Sequence, residues 1–280
     1  MKILIVYAQA GEGHRRAALA LYNYIKSSLP DIEVKAIDIL EYSSPFFKYL
    51  YNRTYTLLVK RLPWVWALAY HLSRILALRG LIQHIRYFTN SLNALRFRQY
   101  LKETRPDIVI ATHFMPPCIV SGMKEKGLIN PKLITIITDY NVHPFWLAKN
   151  TDAYVVPCAH ARDELISDNV VREKIFELGI PVDQKFRECA NKAEARKKLG
   201  ISNDAFTVLL ATSGFGLGPL DEITELLHKE VQLLVVCGRN KKLYERLTLK
   251  KYPSAAIFGF VNNIEELMAA SDIIIIRNLS

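Results

Sequence analysis

The amino-acid sequence predicts an α/β protein of two domains, each with a parallel β-sheet covered by helices on both faces. Two observations predict this fold. Apolar runs of strand length alternate with stretches of helical periodicity along most of the 280 residues. In addition, a strand followed by a glycine-rich turn and a helix occurs twice, near Gly11 and again near Gly214. The chain length suits one large domain or two of medium size.

The first predicted domain covers residues 1–180 and opens with a strand at 2–7. Apolar residues at helical spacing then predict a helix over 14–29, which Pro30 stops. The alternating run 33–38 predicts a second strand and completes a β–α–β unit. Further strands are predicted at 107–111, 132–138 and 153–157, with helices at 116–126 and 159–166.

The second predicted domain covers residues 181–280. Its polar start, 185–200, predicts a linker and a short helix. Strands are predicted at 207–212, 232–237, 256–258 and 272–276, with helices at 220–230 and 241–249. A doubly wound domain normally continues through further strand–helix units, so this domain is expected to be incomplete.

The positive charge is concentrated in one segment. The net charge is +10, and the stretch 42–102 contains ten Lys and Arg residues but no Asp or Glu, so the rest of the chain is neutral. Aromatic residues, among them Phe46, Trp64 and Trp66, are interleaved with these charges. The segment could bind an anionic membrane surface, bind nucleic acid, or simply pack its helices on the core; the aromatics favour the membrane over nucleic acid.

Targeting signals and metal sites are not predicted. Gly11 and Glu12 follow the first strand at once, which is not the pattern of a signal peptide. The longest strongly apolar stretch, 62–73, is shorter than the ~20 residues of a membrane span. The four cysteines are far apart and form no C-x-x-C pair, which indicates buried, reduced thiols and no metal centre.

The first glycine-rich turn carries the clearest candidate for chemistry, the run from Gly11 to Ala18. Glycines at a strand-to-helix turn let a ligand approach the backbone, and the first N–H groups of the helix then face an anion. His14 in this turn could act as a general base near neutral pH. The alternative is a tight turn without ligand, in which His14 caps the helix. Arg16 stands where a dinucleotide motif needs its third glycine, which disfavours NAD.

This run resembles the N-terminal signature of the monogalactosyldiacylglycerol synthase and processive diacylglycerol glucosyltransferase family. Other segments resemble further family motifs in the same order along the chain. They are Thr138-Asp139-Tyr140 with His143 and Trp146, Gly179-Ile180-Pro181-Val182 with Phe186, Cys237-Gly238-Arg239-Asn240, and Gly259-Phe260-Val261. The resemblance covers nearly all of residues 1–275.

The resemblance implies a GT-B glycosyltransferase with two Rossmann-like domains facing each other across a cleft. It implies an inverting transfer of a hexose from UDP-glucose or UDP-galactose to diacylglycerol. The enzyme would be peripheral, at the cytoplasmic face of the cell membrane, with no cofactor and no obligatory metal. Backbone amides and a helix dipole would stabilise the leaving diphosphate.

The resemblance also assigns roles to residues. His14 and Asp139 would be catalytic, and the acceptor would meet Gly11, Gly13, His143 and Trp146. The residues expected to bind the donor are Gly214, Gly216, Gly218, Arg239, Asn240, Phe260 and Val261. From the residues alone, Asp139 could instead cap a helix, His143 could be an ordinary loop histidine, and Trp146 could belong to the core or a cleft wall.

Two departures from the family pattern bear on activity. Ser213 stands where the family usually begins this loop with two glycines, and Arg277 to Ser280 replace a donor-binding segment. These 280 residues are therefore expected to bind a UDP-sugar weakly and to show little transferase activity. Two other functions stay open: a non-catalytic lipid-surface protein, and the related transferase acting on a polyprenyl-diphosphate lipid in wall synthesis. The T-D-Y-x-x-H-x-x-W run favours the diacylglycerol branch.

Overall fold

The protein is described by a computed structural model over residues 1–9, 12–61, 94–188, 191–212 and 218–277. The chain divides into two compact units, Met1–Asp183 and Gln184–Ser280. Elements are numbered below in chain order within the described residues.

The first unit is built on a six-stranded sheet in the order β2-β1-β3-β4-β5-β6. Every neighbouring pair of strands is parallel. The strands are β1 Lys2–Tyr7, β2 Glu33–Asp38, β3 Ile108–Ala111, β4 Lys132–Ile136, β5 Ala153–Val156 and β6 Ile175–Glu177. The helices are α1 Glu12–Ser28, α2 Pro45–Arg61, α3 Leu95–Thr104, α4 Met115–Glu125 and α5 Ala159–Ser167. Short 3-10 turns lie at Ile39–Tyr42, Pro144–Trp146 and Arg172–Lys174.

Both faces of this sheet are covered, as a run of consecutive apolar residues in a parallel strand predicts. Alternate residues of β1 point to opposite faces. Ile3 and Ile5 pack with α1 residues such as Ala18, whereas Leu4 and Val6 pack in the core that contains α3 and α4. The central strands are therefore buried on both sides, and their carboxyl ends are held in fixed positions.

The second unit has a four-stranded parallel sheet in the order β10-β7-β8-β9. The strands are β7 Thr207–Thr212, β8 Gln232–Val236, β9 Ala255–Phe258 and β10 Ile273–Arg277. The helices are α6 Lys185–Glu188, α7 Lys192–Leu199, α8 Leu220–Leu227, α9 Lys241–Leu249 and α10 Ile264–Ala270. Local chemistry sets the limits of α7: the Asn191 side chain accepts the Glu194 N–H at 3.2 Å, and Gly200 ends the helix in the left-handed region, with φ 65°.

An aspartate clamp recurs at the amino ends of the strands. Asp107, Asp152 and Asp272 each directly precede a strand, and each carboxylate accepts the N–H of a residue at the start of the neighbouring strand. These bonds join Asp107 Oδ2 to Lys2 N at 2.7 Å, Asp152 Oδ2 to Leu133 N at 2.8 Å, and Asp272 Oδ2 to Thr207 N at 2.7 Å. The backbone N–H of each aspartate in turn donates to the carbonyl of the residue whose N–H its carboxylate accepts.

The third clamp is reinforced by a buried arginine. The side chain of Arg196 in α7 is 4 % exposed, and one of its terminal nitrogens donates to Asp272 Oδ2 at 2.8 Å and to Thr207 Oγ1 at 3.0 Å. Its Nε donates to the Ala270 carbonyl at 2.9 Å. Lys192 also pairs with Asp272. The guanidinium thus joins α7 to the start of two strands, and its burial is compensated by hydrogen bonds on several sides.

The predicted alternation of strands and helices is confirmed, with differences at several ends. The strand predicted to reach Thr138 ends at Ile136, because Thr138 leaves the sheet to contact His14. Neither β6 nor α10 was predicted from the sequence, and the limits of α2 and α3 were not predicted either. β6 has only three residues, two of them exposed, so it lacks the apolar run that marks a strand.

The cysteines and the basic segment are described only in part. None of Cys118, Cys158 and Cys237 is joined in a disulfide, and burial raises the pKa of the Cys237 thiol to about 11. Cys189 and residues 62–93, with Trp64 and Trp66, lie outside the described residues. In the part of the chain that the structure covers, no helix is both long enough and apolar enough to cross a membrane.

Candidate active site

The candidate site of the first unit lies where β1, β3 and β4 end. These strands are neighbours in the sheet, and β1 has β2 on one side and β3 on the other. Ligands of open α/β sheets bind outside the carboxyl ends of the strands, at the point where the strand order reverses. The residues that follow the three strands are His14 in the first turn of α1, Thr112 and His113 after β3, and Thr138 and Asp139 after β4.

Two oxygens fix the imidazole of His14. Its Nδ1 lies 2.9 Å from the Thr112 carbonyl oxygen and 2.7 Å from Thr138 Oγ1. A carbonyl can only accept, so Nδ1 carries the hydrogen and donates it. In the neutral ring, Nε2 then holds the lone pair. Thr112 also donates its hydroxyl to the His14 carbonyl at 2.9 Å, which holds the first turn of α1 against the end of β3.

The surroundings of His14 favour the neutral imidazole. Burial lowers the pKa of His14, and the nearby Asp139 carboxylate and the hydrogen bond to Thr112 oppose this shift only in part. The ring is therefore neutral at physiological pH, and its Nε2 can accept a proton. The chain in this way supplies two features of a general base: a fixed tautomer and an imidazole that burial keeps neutral.

Asp139 is held by Trp146. The indole Nε1 donates to Asp139 Oδ2 at 2.9 Å, and the Trp146 ring is fully buried with its centroid 6.0 Å from that of His14. This tryptophan is a wall of the site that orients the carboxylate. The indole of Trp146 has no solvent-exposed surface. The carboxylate itself is half-buried and lies close enough to His14 to raise the pKa of the imidazole.

The His143 side chain has a structural role in its own loop. Its Nδ1 accepts the Phe145 N–H at 3.1 Å and so caps the turn Pro144–Trp146, and its ring packs against Phe145 at 4.1 Å. The same loop is anchored from α5, because Glu164 accepts the Val142 N–H at 2.5 Å. His143 therefore helps to place Trp146, which in turn holds Asp139.

The glycines of the first turn are described in part. Gly11 lies outside the described residues. Gly13 is exposed, and a Cβ built on it would meet no atom within 4 Å. Among the described residues, open space therefore lies beside Gly13 in the first turn of α1.

Sequence reasoning missed three residues that the structure brings to His14: Thr112, His113 and Thr138 as a direct partner. The His113 ring stands at 86° to that of His14, with centroids 4.8 Å apart. Thr112 and His113 directly follow a predicted central strand, and Thr138 is the last residue of another. That position was the signal that could have found them.

The predicted donor residues that the structure describes follow the carboxyl ends of strands of the second unit. Arg239 after β8 stacks over the Phe260 ring after β9, with its Cζ 5.2 Å from the centroid. Asn240 caps α9 by accepting the Leu243 N–H at 3.1 Å, and Val261 packs partly buried against the core. Gly218, with φ 138°, occupies a backbone conformation that favours glycine. Gly214 and Gly216 lie outside the described residues.

No group of three or more His, Cys, Asp or Glu side chains that could hold a metal ion is found within the described ranges.

Comparison with known proteins decides the family. The model of the family described as monogalactosyldiacylglycerol (MGDG) synthase matches residues 14–182. The chain belongs to the MGDG synthase family. This confirms the resemblance seen in the sequence motifs, and the matched region contains His14, Asp139, His143 and Trp146.

Curated relatives of this family member align over almost the whole chain. A probable monogalactosyldiacylglycerol synthase, chloroplastic, from Nicotiana tabacum is 30% identical over 99% of this chain and 54% of its own length. A processive diacylglycerol beta-glucosyltransferase from Bacillus cereus (strain B4264) is 29% identical over 99% of this chain and 71% of its own length. The chain thus spans about half the length of the plant relatives that it matches.

Solved structures with the same fold are more distant in sequence. The S. aureus MnaA-UDP structure matches with a TM-score of 0.57 at 12% identity, covering 99% of this chain and 74% of that one. Anabaena Alr3699/HepE in complex with UDP matches with a TM-score of 0.51 at 16% identity, covering 98% and 73%. At this identity the likeness concerns the fold alone, and it confirms the prediction of two Rossmann-like α/β domains.

Proposed function

We propose that this MGDG synthase family member moves a hexose from a UDP-sugar to diacylglycerol at a membrane surface. One observation carries the proposal: the chain holds His14 as a neutral base whose Nε2 lone pair is available, because Nδ1 donates to the Thr112 carbonyl. This arrangement suits an acceptor that must lose a hydroxyl proton. The names of the relatives, an MGDG synthase and a diacylglycerol glucosyltransferase, supply the acceptor and the reaction class.

The chemistry follows from the geometry around His14. The free hydroxyl of diacylglycerol, lying in the open space beside Gly13, gives its proton to His14 Nε2. Its oxygen forms a bond to the anomeric carbon of the sugar as the bond to the diphosphate breaks, and UDP leaves. The imidazolium that forms is stabilised by the Asp139 carboxylate, which Trp146 holds in place. Inversion at the anomeric carbon is part of the proposal, since the transfer is direct.

The donor is assigned to the carboxyl ends of the strands in the second unit. Arg239 supplies a cation and Phe260 an aromatic face, and the two already stack on each other. The glycine-rich segment 213–218 would offer backbone N–H groups to the diphosphate. The choice between UDP-glucose and UDP-galactose belongs to the sugar pocket and is decided by assay.

Contact with the membrane is assigned to the outer face of α2, which we define as Phe46, Tyr49 and Leu50. These residues are spaced three and four apart, and are 74 %, 58 % and 48 % exposed. The opposite face of the helix, with Phe47 and Tyr51, packs on the core. The outer face lies within the acid-free segment 42–102, so an apolar strip is combined with positive charge. Anionic lipid attracts such a surface by about 1 kcal/mol per basic residue.

The test of catalysis is a transfer assay with radiolabelled UDP-glucose and UDP-galactose and diacylglycerol in mixed micelles. We expect label in the lipid fraction from one of the donors, and none above background for His14→Ala. Equal label with both proteins, or none with either donor, would contradict the proposal.

The test of membrane contact is sedimentation with anionic and neutral vesicles at low and high salt. We expect binding to the anionic vesicles that weakens with salt, because screening reduces a charge-driven contact. A variant with Phe46 and Leu50 both changed to Ser should bind less at every salt concentration. Equal binding to both kinds of vesicle would contradict the proposal that positive charge drives the contact.

A further inference from the structure

His113 is a buried histidine without a part in the proton transfer just described. It follows Thr112 at the end of β3 and is 1 % exposed. Its ring meets that of His14 edge to face, at 86° and with 4.8 Å between the centroids, and on its other side it packs on Phe114 at 4.1 Å. A second imidazole in contact with the candidate base restricts how the ring of that base can turn.

Hydrogen bonds fix the tautomer of His113. Its Nδ1 accepts the Met115 N–H at 3.1 Å, at the first turn of α4. In the neutral ring the hydrogen therefore sits on Nε2. This Nε2 lies 3.4 Å from the hydroxyl of Tyr51, to which it donates. At that distance the bond is long, so it is weaker than the bond that Nδ1 accepts from the Met115 N–H.

Tyr51 lies on α2, on the side opposite the outer face of that helix. Tyr51 and Phe47 pack together on the core, with ring centroids 5.8 Å apart. A displacement of α2 therefore moves the Tyr51 hydroxyl relative to His113. Two side chains, Tyr51 and His113, therefore connect helix α2 to the ring of His14.

We propose that His113 is a positioning residue for His14 and that, through Tyr51, it links the orientation of the His14 ring to helix α2. The inference deepens the proposed function and rests on it for the role of His14 and of the outer face of α2. Contact of α2 with lipid would then change the orientation of the His14 ring, the base that activates the lipid acceptor.

The hydrogen bond accepted by His113 Nδ1 is part of this role. Nδ1 accepts the Met115 N–H inside a buried site, so a proton on Nδ1 would break that hydrogen bond. Among the described residues, the Asp139 carboxylate raises the pKa of His14, and on the helix of His14 the Glu12 carboxylate pairs with Arg15 at 3.1 Å and with Arg16 at 3.8 Å. Asp139 therefore acts as a counter-charge for the imidazolium of His14.

Two substitutions separate the contacts of His113. In His113→Asn the amide oxygen can take the place of Nδ1 and accept the Met115 N–H, but the side chain no longer reaches Tyr51 or the ring of His14. In His113→Gln the amide nitrogen stands near the position of Nε2. Tyr51→Phe removes only the hydroxyl, and Tyr24→Phe on the exposed side of α1 is the matched control.

The experiment measures the ring nitrogens of His14 by NMR in protein labelled with 15N-histidine, with His14→Gln to assign the signals. Spectra are recorded with and without bicelles of phosphatidylcholine and phosphatidylglycerol. We expect His113→Asn to reduce the fraction of the Nδ1–H tautomer of His14, His113→Gln to restore it in part, and Tyr51→Phe to shift it less. Bicelles should shift the His14 signals of the wild type but not of Tyr51→Phe, and Tyr24→Phe should behave as the wild type.

Transfer kinetics give the second readout. We expect His113→Asn to lower kcat between about tenfold and a hundredfold with KM for the UDP-sugar unchanged, since only the orientation of the base is altered. His14 nitrogen signals that are the same in all variants would overturn the inference, even with transfer intact. Altered signals in the His113 and Tyr51 variants without any transfer would instead contradict the proposed function and keep the positioning role.

Discussion

The polar groups at the amino ends of the parallel strands have a different role from those at the carboxyl ends. At the amino ends, Asp107, Asp152 and Asp272 each exchange two hydrogen bonds with one residue of the neighbouring strand. At the carboxyl ends, His14 uses Nδ1 within the chain and keeps Nε2 as a proton acceptor. The polar groups of one edge are thus used by the fold, whereas the other edge keeps a reactive atom for a ligand. Substitutions at the two edges should therefore affect different properties.

The difference between the two edges is tested most strongly by His14→Ala. We expect transfer to fall by about 10²- to 10⁴-fold, the usual contribution of a general base, while the thermal unfolding midpoint stays near that of the wild type. His228→Ala, a histidine of the second unit that packs on Tyr252, is the control and should leave transfer unchanged. A large drop in the unfolding midpoint would show that the carboxyl edge also supports the fold.

The opposite result is expected from Arg196→Met at the amino edge. The change removes a buried cation and the hydrogen bonds that it donates to Ala270, Thr207 and Asp272, whereas Asp272 keeps its bonds from Lys192 and from the Thr207 N–H. We expect the free energy of unfolding to fall by ~3–5 kcal/mol, measured by urea denaturation. The control is Arg246→Met, whose exposed pair with Asp221 should contribute less than about 1 kcal/mol. Similar losses in both variants would contradict the role given to burial.

Asp139→Asn sharpens the account of the carboxyl edge. The amide oxygen can still accept the Trp146 N–H, so only the charge is lost. Asp139 raises the pKa of His14, and its removal should lower that pKa further. We expect the acidic limb of the pH–rate profile to move to lower pH and the maximal rate to fall about tenfold, because the imidazolium loses its counter-charge. A limb that moves to higher pH would contradict the assignment of His14 as the base.

The smallest effect concerns acid stability at the amino edge. Hydrogen bonds from Lys192 and Thr207, with the charge of Arg196, lower the pKa of Asp272 to about 2 from its usual 3.8. The stabilisation is therefore present above the unfolded pKa and is lost as pH falls from about 4 to about 2. In Asp272→Asn the free energy of unfolding should depend less steeply on pH in this window than in the wild type. Asp31→Asn, at the exposed start of the loop before β2, serves as the control.

The elements of this fold were largely predictable from local sequence. The limits of β2, β7 and α9 agree with the predictions, because alternation, a following glycine-rich turn and helical spacing mark them within a few residues. β6 and α10 were missed because their segments are short. The prediction of weak donor binding stays untested, as do the roles given to the site residues.

The candidate site was predictable only where a motif marks it. His14 stands in a glycine-rich turn, but its partners Thr112 and Thr138 are 98 and 124 residues away. No periodicity records such a contact, since it depends on which strands become neighbours. The role of Trp146 was also hidden, because a tryptophan that walls a site and one that fills a core give the same local pattern.

Because Cys237 is buried, the rate at which its thiol reacts can report on opening of the second unit. This thiol lies fully buried directly after β8, and its pKa of about 11 leaves almost no thiolate at neutral pH. An alkylating reagent can therefore reach it only when the strands around it separate. In a variant in which the other three cysteines are serine, the rate of modification measures how often the structure around Cys237 opens.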